Sequence, residues 1–150
     1  MSKAIVALGI LLGLWTSAGA ATFTVTTSAD SGPGSLRQAM VDSNASVEAD
    51  GIIFSGVSGA ITLESVLPAL SGETSITGPG AAVLKVTGNH RSQILAVAVG
   101  AKVQISGLTL ADGRAEAYLH GGAIHNAGTL TIDSCTFTNN HAYGGFGGAI

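Results

Sequence analysis

Four histidines, one cysteine and a thin set of carboxylates are the residues of this 150-residue chain that could do chemistry. His90, His120, His125 and His141 invite a metal or acid–base reading. A zinc site wants three or four N, S or carboxylate ligands closely set, and no such spacing occurs. His120 and His141 stand 21 residues apart, in loops beside glycine motifs, and could approach each other on adjacent turns of chain. His125 follows an inward Ile124 and should point outward. Carboxylates suggest polysaccharide cleavage, which needs them clustered to hold calcium or paired as acid and base, with a cation nearby. The second half of the chain supplies Asp112, Glu116 and Asp133, with Lys102 and Arg114, but no Asp-x-Asp and no acids at matching strand positions. Gly78-Pro79-Gly80 and the Gly144 to Gly148 run lack the Lys-Ser/Thr pair of a phosphate loop, so turn glycine is the better account. Calcium nonapeptides need Asp inside each glycine unit, and Gly121 to Ile124 and Gly144 to Ile150 contain none. Asn44-Ala45-Ser46 fits the glycosylation pattern at chance frequency. Cys135 has no partner for an internal disulfide and reads as a small core side chain. No catalytic residue, metal or cofactor is expected.

The elements that must position these residues are bounded by composition. Glycine makes up 22 of 150 residues, about twice its usual share of roughly 7%, and charged residues only 10% against about 25%. An apolar fraction of 46%, a mean hydropathy of +0.48 and a formal charge of −3 exclude intrinsic disorder. Six Lys and Arg scattered singly give no basic stripe, so nucleic acid is not an expected partner. One domain, or part of one, fits the length.

A repeat organises most of that domain. Val103-Gln104-Ile105-Ser106-Gly107-Leu108-Thr109-Leu110 matches Leu130-Thr131-Ile132-Asp133-Ser134-Cys135-Thr136-Phe137 at every apolar position, 27 residues on. Gly121-Gly122-Ala123-Ile124 returns as Gly147-Gly148-Ala149-Ile150 after 26. Periods of 20 to 50 residues signal stacked units whose apolar faces only their neighbours can cover. Inside the unit the period is two: Leu130 and Ile132 share a face across Thr131, as Cys135 and Phe137 do across Thr136. Asp133-Ser134 between these pairs would put Ile132 and Cys135 on opposite faces of one straight strand, so the chain must bend there. A third short strand near Ala123 to His125 completes three strands per turn of a β-solenoid. Ala60 to Leu63, Thr74 to Thr77 and Val83 to Val86 alternate likewise and read as earlier, irregular coils. Stacking like on like puts Ile76, Ile105 and Ile132 in one column, with Leu108 over Cys135 in another.

One stretch reads as helix. Ser35-Leu36-Arg37-Gln38 is a capping box, after which Leu36, Ala39, Met40 and Ser43 share a face up to Asn44. Such a helix can cover the open apolar end of a stack, so Ser35, Leu36, Gln38 and Met40 are assigned to a capping helix. Ahead of it, Lys3, the apolar run Ala4 to Trp15 and the small-residue site Ala18-Gly19-Ala20 read as a secretory leader, too short to span a bilayer. Removing it leaves five cations against nine carboxylates, a formal −4.

With Gly-Gly-Ala-Ile at 121 to 124 and 147 to 150 and Phe137-Thr138-Asn139-Asn140 between them, the chain resembles the GGA[ILV] and FxxN repeats of polymorphic outer membrane proteins, found in bacterial surface proteins and autotransporter passengers. Its segment from Thr22 to Phe54 resembles the opening of secreted right-handed β-helix proteins. Departures are Leu110-Ala111-Asp112-Gly113 where FxxN is expected, and Gly34 where relatives often carry cysteine. The resemblance marks Gly121, Gly122, Ala123, Ile124, Phe137, Asn140, Gly147, Gly148, Ala149 and Ile150 as structural motif residues. It implies an all-β, right-handed parallel β-helix of the pectin-lyase-like kind, its organisation being a leader (1–20), an opening strand with capping helix (21–58) and coils (59–150). The expected function is that of a secreted or outer-membrane, adhesin-like or structural segment of a bacterial protein, meeting a glycan or protein ligand without catalysis. The alternatives are a truncated polysaccharide lyase or glycoside hydrolase, since β-helices include such enzymes, and a spacer that binds nothing. No transmembrane segment is expected in the mature chain. Ile150 ends a strand without a polar cap, so further C-terminal coils and an anchor are expected.

Overall fold

The computed structural model describes residues 19–116 and 120–150. The apolar run from Ala4 to Trp15, and Ala18 with it, on which the expectation of a leader rests, lie outside the described residues. The rest is a parallel β-solenoid of about four turns with one short helix, the all-β β-helix expected from the repeat.

The chain begins with β1 (Thr22–Val25) and α1 (Leu36–Asn44), then winds in coils. The first coil carries β2 (Asp50–Phe54) and β3 (Gly59–Thr62). The second carries β4 (Glu73–Thr77), β5 (Leu84–Thr87) and β6 (Leu95–Val97). The third carries β7 (Lys102–Ser106), β8 (Thr109–Ala111), β9 (Arg114–Ala115) and β10 (Ile124–Asn126). The fourth carries β11 (Thr129–Asp133), β12 (Thr136–Thr138) and β13 (His141–Ala142). All strand pairs are parallel, and successive coils hydrogen-bond side against side. The first sheet runs β1-β2-β4-β7-β11 and the second β3-β5-β8-β12. The third is β6-β10, extended by a bridge from Leu70 to Val97, and a small fourth sheet pairs β9 with β13. Because β1 and β2 are the first two members of the first sheet, the stack begins well before residue 59.

Register produces the core. Phe23, Ile52, Ile76, Ile105 and Ile132 pair in sequence along the first sheet, which is the column expected for the last three. Ile61, Val86, Leu110 and Phe137 form the matching column of the second sheet. Ile52, Ile61, Ile105 and Val86 are at most 1% exposed. Each such side chain contributes about 1.5–3 kcal/mol, so stability accrues coil by coil. Leu130, Ile132, Cys135 and Phe137 are half-buried, because among the described residues their coil is packed against a neighbouring coil on one side. The bend between the first two sheets falls where the side-chain parity demands it. Gly107 (φ +62°) and Ser134 (φ +51°) occupy equivalent corners, and the Gly107 N–H donates to Asp133 O at 3.2 Å. A two-residue strand such as β9 carries no readable period, so the third coil has four strands where three were expected.

Helix α1 caps the stack as expected. Leu36, Ala39, Met40 and Ser43 are its buried residues, and Met40 is fully enclosed. The helix reaches the segment after β3 and the start of the second coil: Arg37 donates to Ser65 O and Val66 O and Asn44 to Ala69 O, each at 2.8 Å, while Ser43 Oγ lies 3.0 Å from Thr74 Oγ1. Only half of the capping box forms. Ser35 Oγ accepts from the Gln38 N–H at 3.2 Å, but the Gln38 amide turns forward to Asp42 Oδ1 (2.8 Å) because the Ser35 N–H already donates to Gly32 O (3.2 Å). None of the described residues forms a helix long and apolar enough to cross a membrane.

Candidate functional site

The inward isoleucines of the first sheet fix what faces out. Gly51, Ser75, Gln104 and Thr131 pair one with the next, a ladder of small, hydroxyl and amide groups one strand spacing apart, about 4.8 Å. Beside it, Glu73 pairs with Lys102 and Lys102 with Thr129. This face, closed at one end by Ala20, Ala21 and Thr22, holds a groove of about 400 Å³. Two of its three charged side chains face each other, Lys102 Nζ lying 3.6 Å from Glu73 Oε2, and both are well exposed, while the third, Asp50, is buried. The groove therefore presents hydrogen-bonding groups with little net charge.

At the closed end sits an acid. Asp50 faces inward beside Thr74 and is only 3% exposed. Its Oδ1 accepts from the Ala21 N–H at 2.9 Å, whereas its Oδ2 is buried and has no hydrogen-bond partner among the described residues. Ala21 is held from its other end as well, its carbonyl accepting from the Gly51 N–H at 2.8 Å.

The motif residues build corners and backbone contacts. Gly121 (φ +70°) and Gly147 (φ +73°) adopt the left-handed conformation that glycine takes most readily. The Gly122 N–H donates to Gly148 O at 3.0 Å, and those of Ala123 and Ile124 both donate to Ala149 O at 2.9 Å, so the two Gly-Gly-Ala-Ile runs lie one upon the other. Ala123 and Ile124 are fully buried; Gly147, Gly148 and Ile150 are exposed and Ala149 half-buried. Asn140 explains the asparagine of FxxN: its Oδ1 accepts from the Gly113 N–H at 2.8 Å and its Nδ2 donates to Leu110 O at 3.0 Å. The departure in the third coil has a steric reason, since a Cβ on Gly113 would stand 2.9 Å from Asn140 Oδ1.

The residues with chemical potential are dispersed. His120 stacks on Phe146 (5.7 Å between ring centroids) and accepts the Phe146 N–H at Nδ1, 2.9 Å away. His141 sits beside Tyr143 instead, so the two histidines that might have met each pair with a neighbouring aromatic ring. His125 is half-buried beside the buried Ile124, in keeping with an outward setting. Asp112 accepts from Thr87 Oγ1 (3.1 Å) and Asn139 Nδ2 (3.4 Å), with His90 Nε2 at 3.5 Å. Asp133 takes a hydrogen bond from Ser134 Oγ at 3.2 Å, at the corner before the second sheet, whereas Asp112 stands after it. Arg114 lies 4.5 Å from the Tyr143 ring centroid. No group of three or more His, Cys, Asp or Glu among the described residues is placed to hold a metal. Cys135 is free and half-buried, its Sγ 3.7 Å from Ile105 O, and Thr136 donates to Leu108 O at 3.0 Å, so Cys135 does fall in register with Leu108.

Sequence reasoning passed over Asp50, Ser75 and Gln104. The alternation that found the inward column also defines the outward one, but polar residues on a strand look like any solvated face until register lines them up. No family model, curated protein or solved structure matches the chain.

Proposed function

We propose that this chain is an exported β-helix segment that acts by binding rather than catalysis, and that the groove on the first sheet grips a polar, uncharged chain such as a neutral glycan at or outside a bacterial surface. The observation that carries this reading is the in-register ladder Gly51, Ser75, Gln104 and Thr131. Flat rows of hydroxyl and amide groups exchange hydrogen bonds with sugar hydroxyls, and the mutual pairing of Glu73 with Lys102 leaves no surplus cation to hold uronates. Export is supported by the leader pattern of residues 1–20, and an adhesin-like setting by the resemblance to surface-protein repeats. The enzyme alternative requires a carboxylate pair, and Asp112 and Asp133 stand at separate corners.

Titration of the processed chain against immobilised neutral and uronate polysaccharides tests the proposal. Expected are saturable binding to a neutral glycan, a loss of about tenfold or more in affinity for Gln104→Ala, as for one well-made hydrogen bond, and no released sugar. Turnover abolished by Asp112→Asn or Asp133→Asn would replace this reading with the enzymatic one. Absence of any saturable binding would leave a structural spacer.

A further inference from the structure

The arrangement at the closed end of the groove is unusual for a chain joined through Ala20. A buried carboxylate is costly unless it is paired and hydrogen-bonded, yet Asp50 receives one neutral amide N–H and leaves Oδ2 unpartnered among the described residues. The donor is no arbitrary residue. Ala21 follows directly on Ala18-Gly19-Ala20, the small-residue site after which a leader peptidase would cut. Ala20 is exposed while Ala21 is half-buried and pinned at its carbonyl by Gly51.

We infer that leader removal turns the Ala21 nitrogen into the buried partner of Asp50, so that the fold reaches full stability only once the chain has been cut. This rests on the export reading proposed above. A leader peptidase hydrolyses the Ala20–Ala21 bond with one water: the hydroxyl goes to the Ala20 carbonyl carbon, which leaves as a carboxylate, and Ala21 nitrogen takes up the protons to become an ammonium. At a position already 2.9 Å from Oδ1, one neutral donor becomes a positively charged group with three. A charge-assisted contact replaces an amide contact, and hydrogens are left over for the carboxyl oxygen that lacked one. The uncut chain keeps an uncompensated acid at the first rungs of its first sheet and stays easier to unfold, which suits a polypeptide that has yet to pass through a membrane.

The experiment uses the full chain with its leader, expressed in a secreting host. N-terminal sequencing of the exported product is expected to begin at Ala21. Selective acetylation of that α-amine should then raise the unfolding equilibrium constant in urea by about tenfold or more, the scale of a lost charge-assisted hydrogen bond to a buried group. The same acetylation of D50N should have no such effect. If D50N yields no folded protein, the native product still decides: a midpoint that falls on acetylation supports the inference and an unmoved one overturns it, with export intact. An exported product starting at another residue overturns the pairing without touching export. A product that keeps its leader overturns the export reading and the inference together.

Discussion

At the scale of single residues, the molecule separates positions that hold the backbone in place from positions that are merely filled. Gly122 lies against the next coil so closely that a Cβ would run into the Gly148 carbonyl and the His141 backbone. Gly122→Ala is expected to destabilise by about 1–3 kcal/mol, read as a lowered urea midpoint at unchanged slope. Gly72 meets nothing within 4 Å of a built Cβ, and its backbone lies outside the left-handed region. Gly72→Ala should be neutral or stabilising by up to about 1 kcal/mol in the same measurement. Asn140 serves one donor and one acceptor of the preceding coil, so Asn140→Ala should cost about 1–3 kcal/mol; Asn139, exposed one residue earlier, stands at φ +53°, where alanine is strained, and Asn139→Ala should cost about 1 kcal/mol through the backbone.

At the scale of elements, helix α1 supplies a lid and its start depends on one side chain. Ser35 is fully buried, accepts from Gln38 N and donates to Gly32 O at 2.7 Å. Ser35→Ala should therefore cost about 0.5–2 kcal/mol, near the top of that range because Gly32 O also loses one of its two donors. Gln38→Ala should cost no more than about 0.5 kcal/mol, since the exposed Gln38 side chain bonds Asp42 and not the helix start. Thermal melts of the two variants would separate these roles, and equal losses would contradict the half-formed box. The helix's face, limits and capping place were all legible in the sequence, because Ser35, Leu36, Ala39, Met40 and Ser43 state a 3.6-residue period with a start signal. Which half of the box forms was not, since that depends on Gly32 presenting its carbonyl to the Ser35 N–H.

At the scale of the whole molecule, the solenoid was readable because the apolar residues of one coil reappear in the next: Ile105 and Ile132 are both inward and 27 residues apart, and they pair. Earlier coils were harder to place, since Gly51 pairs with Ser75 at 24 residues and Ser75 with Gln104 at 29, loops of different length absorbing the difference. The groove and the acid at its end were not legible for a related reason. A hydroxyl, an amide and a glycine on separate strands share no motif, and Asp50 reads as a polar strand start until register turns it inward beside Thr74. Everything proposed for the first sheet depends on Gln104 standing directly beside Thr131 in a parallel pair. In a Cys135→Ser background, Gln104→Cys with Thr131→Cys places the Cα atoms about 4.8 Å apart, inside the range a disulfide accepts, while Gln104→Cys with Asp133→Cys stands about 8 Å apart and outside it. Rapid, quantitative oxidation of the first pair and none of the second is the result this structure predicts. Equal cross-linking of both pairs, or closure of the second alone, would contradict the stacked coils.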